Sequence, residues 1–317
     1  VLDFYFNLRA FLYVQDRLDD HYRIYTELLP SGEFLLRLFC VNPAKNLKEC
    51  MAQAVSTIFF SATLLPVPYY KELLSGDKEE YAVYADSPFS HKLLLVATEV
   101  SSRYSRRNQR EYEKTSDYIE AIVNGRQGNY LVFCPSYQYM KKIEDILRAR
   151  WEKDLEEEAK SRQRTKLLVQ SPNMTEQEKE EFLTEFDQSG RSLAALCVMG
   201  GAFSEGIDLR GERLIGVVII GTGLPMVCTE QEILKGYFDE KEEKGFDYAY
   251  QYPGMNKVMQ AAGRLIRTME DRGVIALLDD RFLQADYQSL FPREWDEYYP
   301  VSRNQVNQVL ERFWKEV

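Results

Sequence analysis

The sequence predicts an α/β protein in which a mainly parallel sheet is flanked by helices on both faces and carries an N-terminal appendage. Two observations predict it. From Leu93 onward, short apolar runs alternate with polar turns and helical stretches, the rhythm of a parallel sheet covered on both sides. The residues before that follow another pattern, with a helix, a hairpin and a second helix in succession. The 317 residues are 45% hydrophobic and 13% aromatic, enough for one or two packed cores and too apolar for a disordered tail. Forty Lys and Arg against fifty Asp and Glu leave a net charge of -10, so any nucleic-acid contact has to come from a local basic patch.

In order, residues Leu2 to Asp19 read as a helix, and Tyr22 to Leu28 and Glu33 to Cys40 as strands joined by the Pro30-Ser31-Gly32 turn. Asn42-Pro43 supplies an N-cap and a first-turn proline for a helix reaching about Ala54. A strand is expected at Ser56 to Phe60. Further strands are expected at 93–98, 130–134, 166–170, 193–199, 214–220 and 274–278. Helices are expected at 111–124, 137–164, 175–188, 230–240 and 255–269, and a closing amphipathic helix at 303–317. Thr175-Glu176-Gln177-Glu178 is a capping box.

The longest nearly uncharged apolar stretch, Leu214 to Cys228, is shorter than a membrane span and is broken by glycines and Pro225, so no membrane partner is expected. Five scattered cysteines without a CxxC pair, and two histidines, argue against a zinc site, a disulfide framework or a Ser-His-Asp triad, and the expected metal set is empty. Thiols in apolar runs suit a reducing compartment, and a cytoplasmic location is the expectation. The chain opens on Val1 without a signal-peptide pattern and reads as a piece of something longer.

Ligands of parallel sheets bind beyond the carboxyl ends of the strands. Four segments there carry chemistry. On the helix expected at Met255 to Met269, Gln260, Arg264 and Arg267 at i, i+4 and i+7 share one side, where two forked guanidiniums and an amide suit a polyphosphate. A solvated helix face is the commoner explanation of such a trio alone. Gly200 to Gly211 packs four glycines around Ser204, Glu205 and Asp208, which lets backbone approach a ligand, although Ile207-Asp208 stands where a Walker A needs Lys-Ser or Lys-Thr. Ser136, after Phe133-Cys134-Pro135, puts a hydroxyl at a helix start, equally suited to capping or to phosphate. Arg103, Arg106, Arg107 and Arg110 surround Tyr104, a pattern suited to single-stranded nucleic acid or to plain solvation.

Taken together, Phe59-Phe60-Ser61-Ala62-Thr63-Leu64-Leu65-Pro66, Leu131-Val132-Phe133-Cys134-Pro135-Ser136-Tyr137, Ser204-Glu205-Gly206-Ile207-Asp208 and Gln260-Ala261-Ala262-Gly263-Arg264-Leu265-Ile266-Arg267 resemble motifs III to VI of superfamily-two DNA helicases of the XPD/DinG type. The resemblance implies a RecA-like fold. It divides the chain into residues 1–66, the remnant of a first helicase lobe and the return from an arch domain, and 67–317, the second lobe. It implies an ATP-dependent DNA helicase moving 5′ to 3′ on single-stranded DNA. Gln260, Arg264 and Arg267 would then be catalytic, facing the γ-phosphate of ATP bound to a missing first lobe. Glu205, Gly206, Asp208 and Gly263 would lie near the nucleotide. Ser136, Tyr137, Ser204, Arg103 and Arg107 would follow the DNA strand, and Ser61 and Thr63 would couple the lobes. ATP and Mg2+ are the implied cofactors, and the ligands of any 4Fe-4S cluster would lie outside this chain. The Walker A lysine and the DEAH box that precede motif III in the family are absent from the sequence, so the chain by itself is expected to be inactive. A non-catalytic RecA-like docking module is the alternative reading.

Overall fold

The computed structural model describes residues 2–76, 81–85, 91–156, 165–188, 190–204, 207–242 and 244–315. In chain order the helices and strands are α1 (Leu2–Gln15), β1 (Tyr22–Leu28), β2 (Phe34–Cys40), α2 (Ala44–Met51), α3 (Val67–Leu74), β3 (Lys92–Ala97), α4 (Gln109–Gly125), β4 (Asn129–Cys134) and α5 (Tyr137–Glu156). They continue with β5 (Thr165–Val169), α6 (Glu176–Thr184), β6 (Ser192–Val198), β7 (Gly216–Ile220), α7 (Thr229–Glu242), α8 (Tyr252–Ala262), β8 (Gly273–Leu278), α9 (Ala285–Gln288), β9 (Tyr299–Val301) and α10 (Arg303–Lys315). Two compact units result, one of residues 1–83 with 225–253, the other of 84–224 with 254–317.

The second unit carries the expected sheet. Its strands run parallel in the order β5-β6-β4-β7-β8-β3-β9. Alternate residues of the strands, among them Leu95, Val132, Leu196, Val218 and Ala276, form one core with Tyr118 and Ile122 of α4, Tyr139 and Ile143 of α5, and Val306 and Leu310 of α10. The residues between them, such as Val96, Leu131, Phe133, Ile219 and Leu277, are equally buried, so both faces are closed. Each such side chain contributes about 1.5–3 kcal/mol of burial. The capping box of α6 is formed in both directions, with the Glu178 N–H donating to Thr175 Oγ1 and the Thr175 N–H to Glu178 Oε2.

In the first unit, β1 and β2 pair antiparallel through the turn at Gly32, whose φ is +85°. A small core joins Val41, Tyr237, Phe238 and Tyr248, with Tyr69 and Leu73 packed on it. That core is why residues 225–253 belong with the N-terminal unit, and why the break at 83/84 falls later than the division at 66/67 drawn from the motifs.

Three elements depart from the sequence reading. Residues 56–60 form no strand: among the described residues no neighbour pairs with them, and Ile58 and Phe60 are exposed. The helix expected to start at Met255 begins at Tyr252, continuing a π-helical turn at Asp247–Gln251, and ends at Ala262 rather than Met269. It ends because the Asp271 carboxylate accepts the N–H groups of Arg267 and Thr268 at 2.7 and 2.8 Å, which a continuing helix would direct to carbonyls four residues back. The helix expected to reach Arg164 is described to Glu156, and 157–164 lie outside the described residues. Helix α3 and the three-residue β9 were not expected.

Candidate nucleotide and nucleic-acid site

Because the strands are parallel, the segments that follow them gather at one edge of the sheet. After β6 the chain turns through Gly200 at φ +73°, a left-handed conformation that favours glycine. Ser204 closes this turn, its Oγ accepting the Gly200 N–H at 2.8 Å and donating to the Val198 carbonyl at 3.4 Å. The Ser204 side chain is therefore buried and braces the loop.

Beyond α8, Arg264 reaches across to that loop. Its Nε donates to the Ser204 carbonyl at 3.0 Å and its Nη1 to the Ile207 carbonyl at 3.1 Å, while Arg267 Nη2 donates to the same Ile207 oxygen at 3.3 Å. Arg264 and Arg267 thus lie past the helix end, not on its face, and still converge. Asp271 fixes the turn that aims them, also accepting the Gly211 N–H at 3.0 Å. Burial alone would raise the Asp271 carboxyl, but the three backbone N–H groups and Thr268 hold it below the ordinary value. Asp208 is exposed and paired with Arg210 at 2.8 Å, which lowers its carboxyl. Gln260 sits half-buried on α8 and Gly263 at its end. Glu205 and Gly206 lie outside the described residues.

The helicase C-terminal domain family matches residues 119–298, more than half of the chain and the whole stretch that holds this convergence. The chain belongs to this family. Among relatives, it is 27% identical to the probable ATP-dependent helicase MJ0942 of Methanocaldococcus jannaschii over 99% of its own length and 46% of that protein. It is 26% identical to the ATP-dependent DNA helicase YoaA of Escherichia coli, over 82% of its length and 39% of YoaA. It is also 26% identical to the XPD/RAD3 helicase subunit of the general transcription and DNA repair factor IIH of Saccharomyces cerevisiae, over 82% of its length and 34% of that subunit. The chain thus spans less than half of each of these relatives. Solved structures of XPD, one of them apo, share the fold with TM-scores of 0.63 and 0.64 at 19% and 20% identity, covering 89% of this chain and 54% and 48% of theirs. The XPD/DinG resemblance and the RecA-like fold read from the motifs therefore hold.

The other candidate residues of this helicase domain fall into two further groups. At the ends of β4 and β5, Ser136 Oγ accepts the Tyr139 N–H at 3.2 Å, capping α5 and leaving its own proton to point elsewhere. Tyr137 is 38% exposed, and its hydroxyl accepts from Gln170 Nε2 at 3.1 Å. A groove of about 570 Å³ opens beside it, lined by Lys141, Glu144, Arg148 and Gln170 among others. Glu144 pairs with both cations there, at 3.1 and 2.8 Å.

The arginine loop follows β3. Arg107 Nε donates to the Ser102 carbonyl at 3.1 Å, and Arg106 pairs with Asp280 at 3.0 Å and Arg103 with the same carboxylate at 3.9 Å. Tyr104 projects, 85% exposed, with the Arg107 guanidinium 5.4 Å from its ring centre. Beneath the loop, Asp279 accepts from the Ser102 N–H and Oγ at 2.8 and 2.7 Å and from Arg281 Nε and Nη2 at 2.8 and 2.9 Å. Asp279 is fully buried, which alone would raise its carboxyl; Arg281 and Ser102 lower it below the ordinary value. The sequence reading missed Asp279, Arg281 and Gln170, although Gln170 and Asp279 directly follow apolar strands and Arg281 stands two residues further on, the very place where ligand-edge residues are sought.

Ser61 and Thr63 belong to the other unit, on an exposed loop where the Thr63 N–H donates to Ser61 Oγ at 3.2 Å. Among the described residues no group of three or more His, Cys, Asp or Glu could hold a metal, and no helix is long and apolar enough to cross a membrane. Cys134 and Cys197 are buried in the sheet, and desolvation pushes both thiols up.

Proposed function

We propose that this chain is the lobe of an ATP-dependent DNA helicase that offers arginines to the terminal phosphate of ATP and part of a track to single-stranded DNA. The observation that carries the reading is the meeting of Arg264 and Arg267 on the Ile207 carbonyl. It ties Ser204 and Ile207 to Arg264 and Arg267, about 60 residues further along the chain, in one cationic corner beyond the strand ends. In this reading Arg264, with Nε and Nη1 on two carbonyls, is a positioning residue. Arg267 makes one long side-chain bond and is the finger that offsets charge developing on the transferred phosphoryl group, an effect of about 10³-fold or more in turnover. In the same reading Gln260, four residues before Arg264, would add an amide, with Asp208 and Gly263 next to Ile207 and Arg264 in the chain.

ATP and Mg2+ come with the family. Among the described residues there is no acidic cluster for the metal, and in this reading the residues that would hold it belong to the first lobe. The names of the relatives, a probable ATP-dependent helicase, an ATP-dependent DNA helicase and a helicase subunit of a transcription and DNA repair factor, support the class of activity. Unwinding by the full-length protein of duplexes with a 5′ or a 3′ single-stranded tail tests the reading. ATP-dependent strand separation on the 5′-tailed duplex is expected, and no separation of either would overturn it.

A further inference from the structure

On α8 the residues not fully buried after Pro253 are Lys257 and Gln260, so the lysine stands on the same exposed face one turn before the proposed catalytic amide. Its stem runs over the turn that leaves β6: a Cβ placed on Gly200 would lie 3.5 Å from Cδ and 3.8 Å from Nζ of Lys257. The lysine is partly buried there and makes no ion pair or hydrogen bond among the described residues. Burial pushes its ammonium below the ordinary value. A cation that is desolvated without a partner is costly to keep, unless an anion arrives to share the site.

The same turn leads to the strand-tracking candidates. A Cβ on Gly201 would sit 3.3 Å from Gln170 Nε2. Gln170 in turn accepts the Val198 N–H at 2.9 Å and donates to the Tyr137 hydroxyl. Tyr137, Gln170, the Gly200-Gly201 backbone and Lys257 therefore form an unbroken row across the ends of β4, β5 and β6. It offers a partly exposed aromatic ring at one end and, at the other, an ammonium with no partner among the described residues. A ring for a base to stack on and a cation for the backbone are the two parts of a single-strand site. Arg264 and Arg267 instead direct their forks at the Ser204 and Ile207 carbonyls, further along the chain from the Gly200 turn over which Lys257 lies.

We propose that Lys257 contacts a phosphodiester of the tracked DNA strand, in a row with Tyr137 and not with the nucleotide. This rests on the reading of the chain as a helicase lobe and adds a residue to its track. The lysine is a point charge on a flexible stem, suited to a passing phosphate because it demands no fixed orientation.

The test is the affinity of the full-length protein for labelled oligo(dT) at 50 to 200 mM salt, with Lys257→Met, which keeps the stem, and Lys257→Arg, which keeps the charge. Wild type and Lys257→Arg should share a slope of log affinity against log salt. Lys257→Met should lose about 0.7 of it, so that its deficit against wild type narrows about 2.6-fold over that range. ATP affinity should be the same in all three. An unchanged slope in Lys257→Met, or a loss confined to ATP binding, overturns the assignment while leaving the helicase reading in place. Failure of the wild type itself to bind oligo(dT) overturns the reading and the assignment together.

Discussion

Arg264 donates from Nε to the carbonyl oxygen of Ser204 at 3.0 Å, tying together two segments that neither helix nor strand connects. The bond anchors the turn that ends at Ser204 to the chain beyond α8. Arg264→Ala is expected to lower both turnover and stability, because two backbone carbonyls lose charged donors worth about 1.5–3 kcal/mol each. Arg264→Lys should recover little, since one ammonium does not reproduce a planar fork. Thermal melting and ATP hydrolysis measured on the same samples check this; an Arg264→Ala protein that melts like wild type would contradict the bracing role.

Asp279 and Arg281 form a paired charge under the arginine loop, and removing one partner strands the other. Asp279→Asn should destabilise by about 3–5 kcal/mol at neutral pH, read as a fall in the urea midpoint. The folded carboxyl titrates below its unfolded value. Its contribution is therefore complete above the ordinary aspartate range near pH 4 and is lost as pH falls through the lower folded value. Wild-type stability should hold steady from neutral pH to about pH 5 and decline below about pH 4, and the decline should be shallower in Asp279→Asn.

Gly223 has φ +68°, and a Cβ there would lie 2.4 Å from the Gly254 carbonyl oxygen, backbone against backbone. Gly211 has φ +60° with nothing within 4 Å of the same position. Gly223→Ala should cost more than the roughly 1–2 kcal/mol expected of Gly211→Ala from its left-handed backbone alone. Equal melting temperatures for the two variants would show that the approach of the β7 exit to α8 can relax.

Arg103 lies 3.9 Å from Asp280, a loose pair on an exposed loop. Arg103→Ala should reduce the salt slope of single-stranded DNA binding by about 0.7, and Asp280→Asn should strengthen binding by removing a competitor for the arginines. Fluorescence anisotropy across a salt series checks both; identical slopes would take Arg103 out of the track.

The sheet was legible because its strands are apolar runs bounded by turn residues, so periodicity and burial agree. The end of α8 was not. Leu265 is buried as an amphipathic helix would require, yet it is buried from a turn, and the residue that diverts the chain is Asp271, outside the apolar pattern. Residues 56–60 show the opposite failure, a β-rich composition without a strand to pair with. In the site, Arg264 and Arg267 could be picked from spacing and family motif, but their meeting at one carbonyl is a tertiary fact that no local pattern encodes. Asp279 and Arg281 were open to the rule that strand ends carry function, and were missed because one pair two residues apart has no periodicity to draw attention.

In the proposed mechanism Arg267 meets the terminal phosphate of ATP during its transfer. DNA-stimulated ATP hydrolysis by the full-length Arg267→Ala protein tests it most directly, with kcat and KM separated. A fall in kcat of about 10³-fold, some 4 kcal/mol of barrier, is expected, with a small change in KM and a smaller loss of melting temperature than in Arg264→Ala, since Arg267 makes one long bond. A variant that turns over at close to the wild-type rate would contradict it.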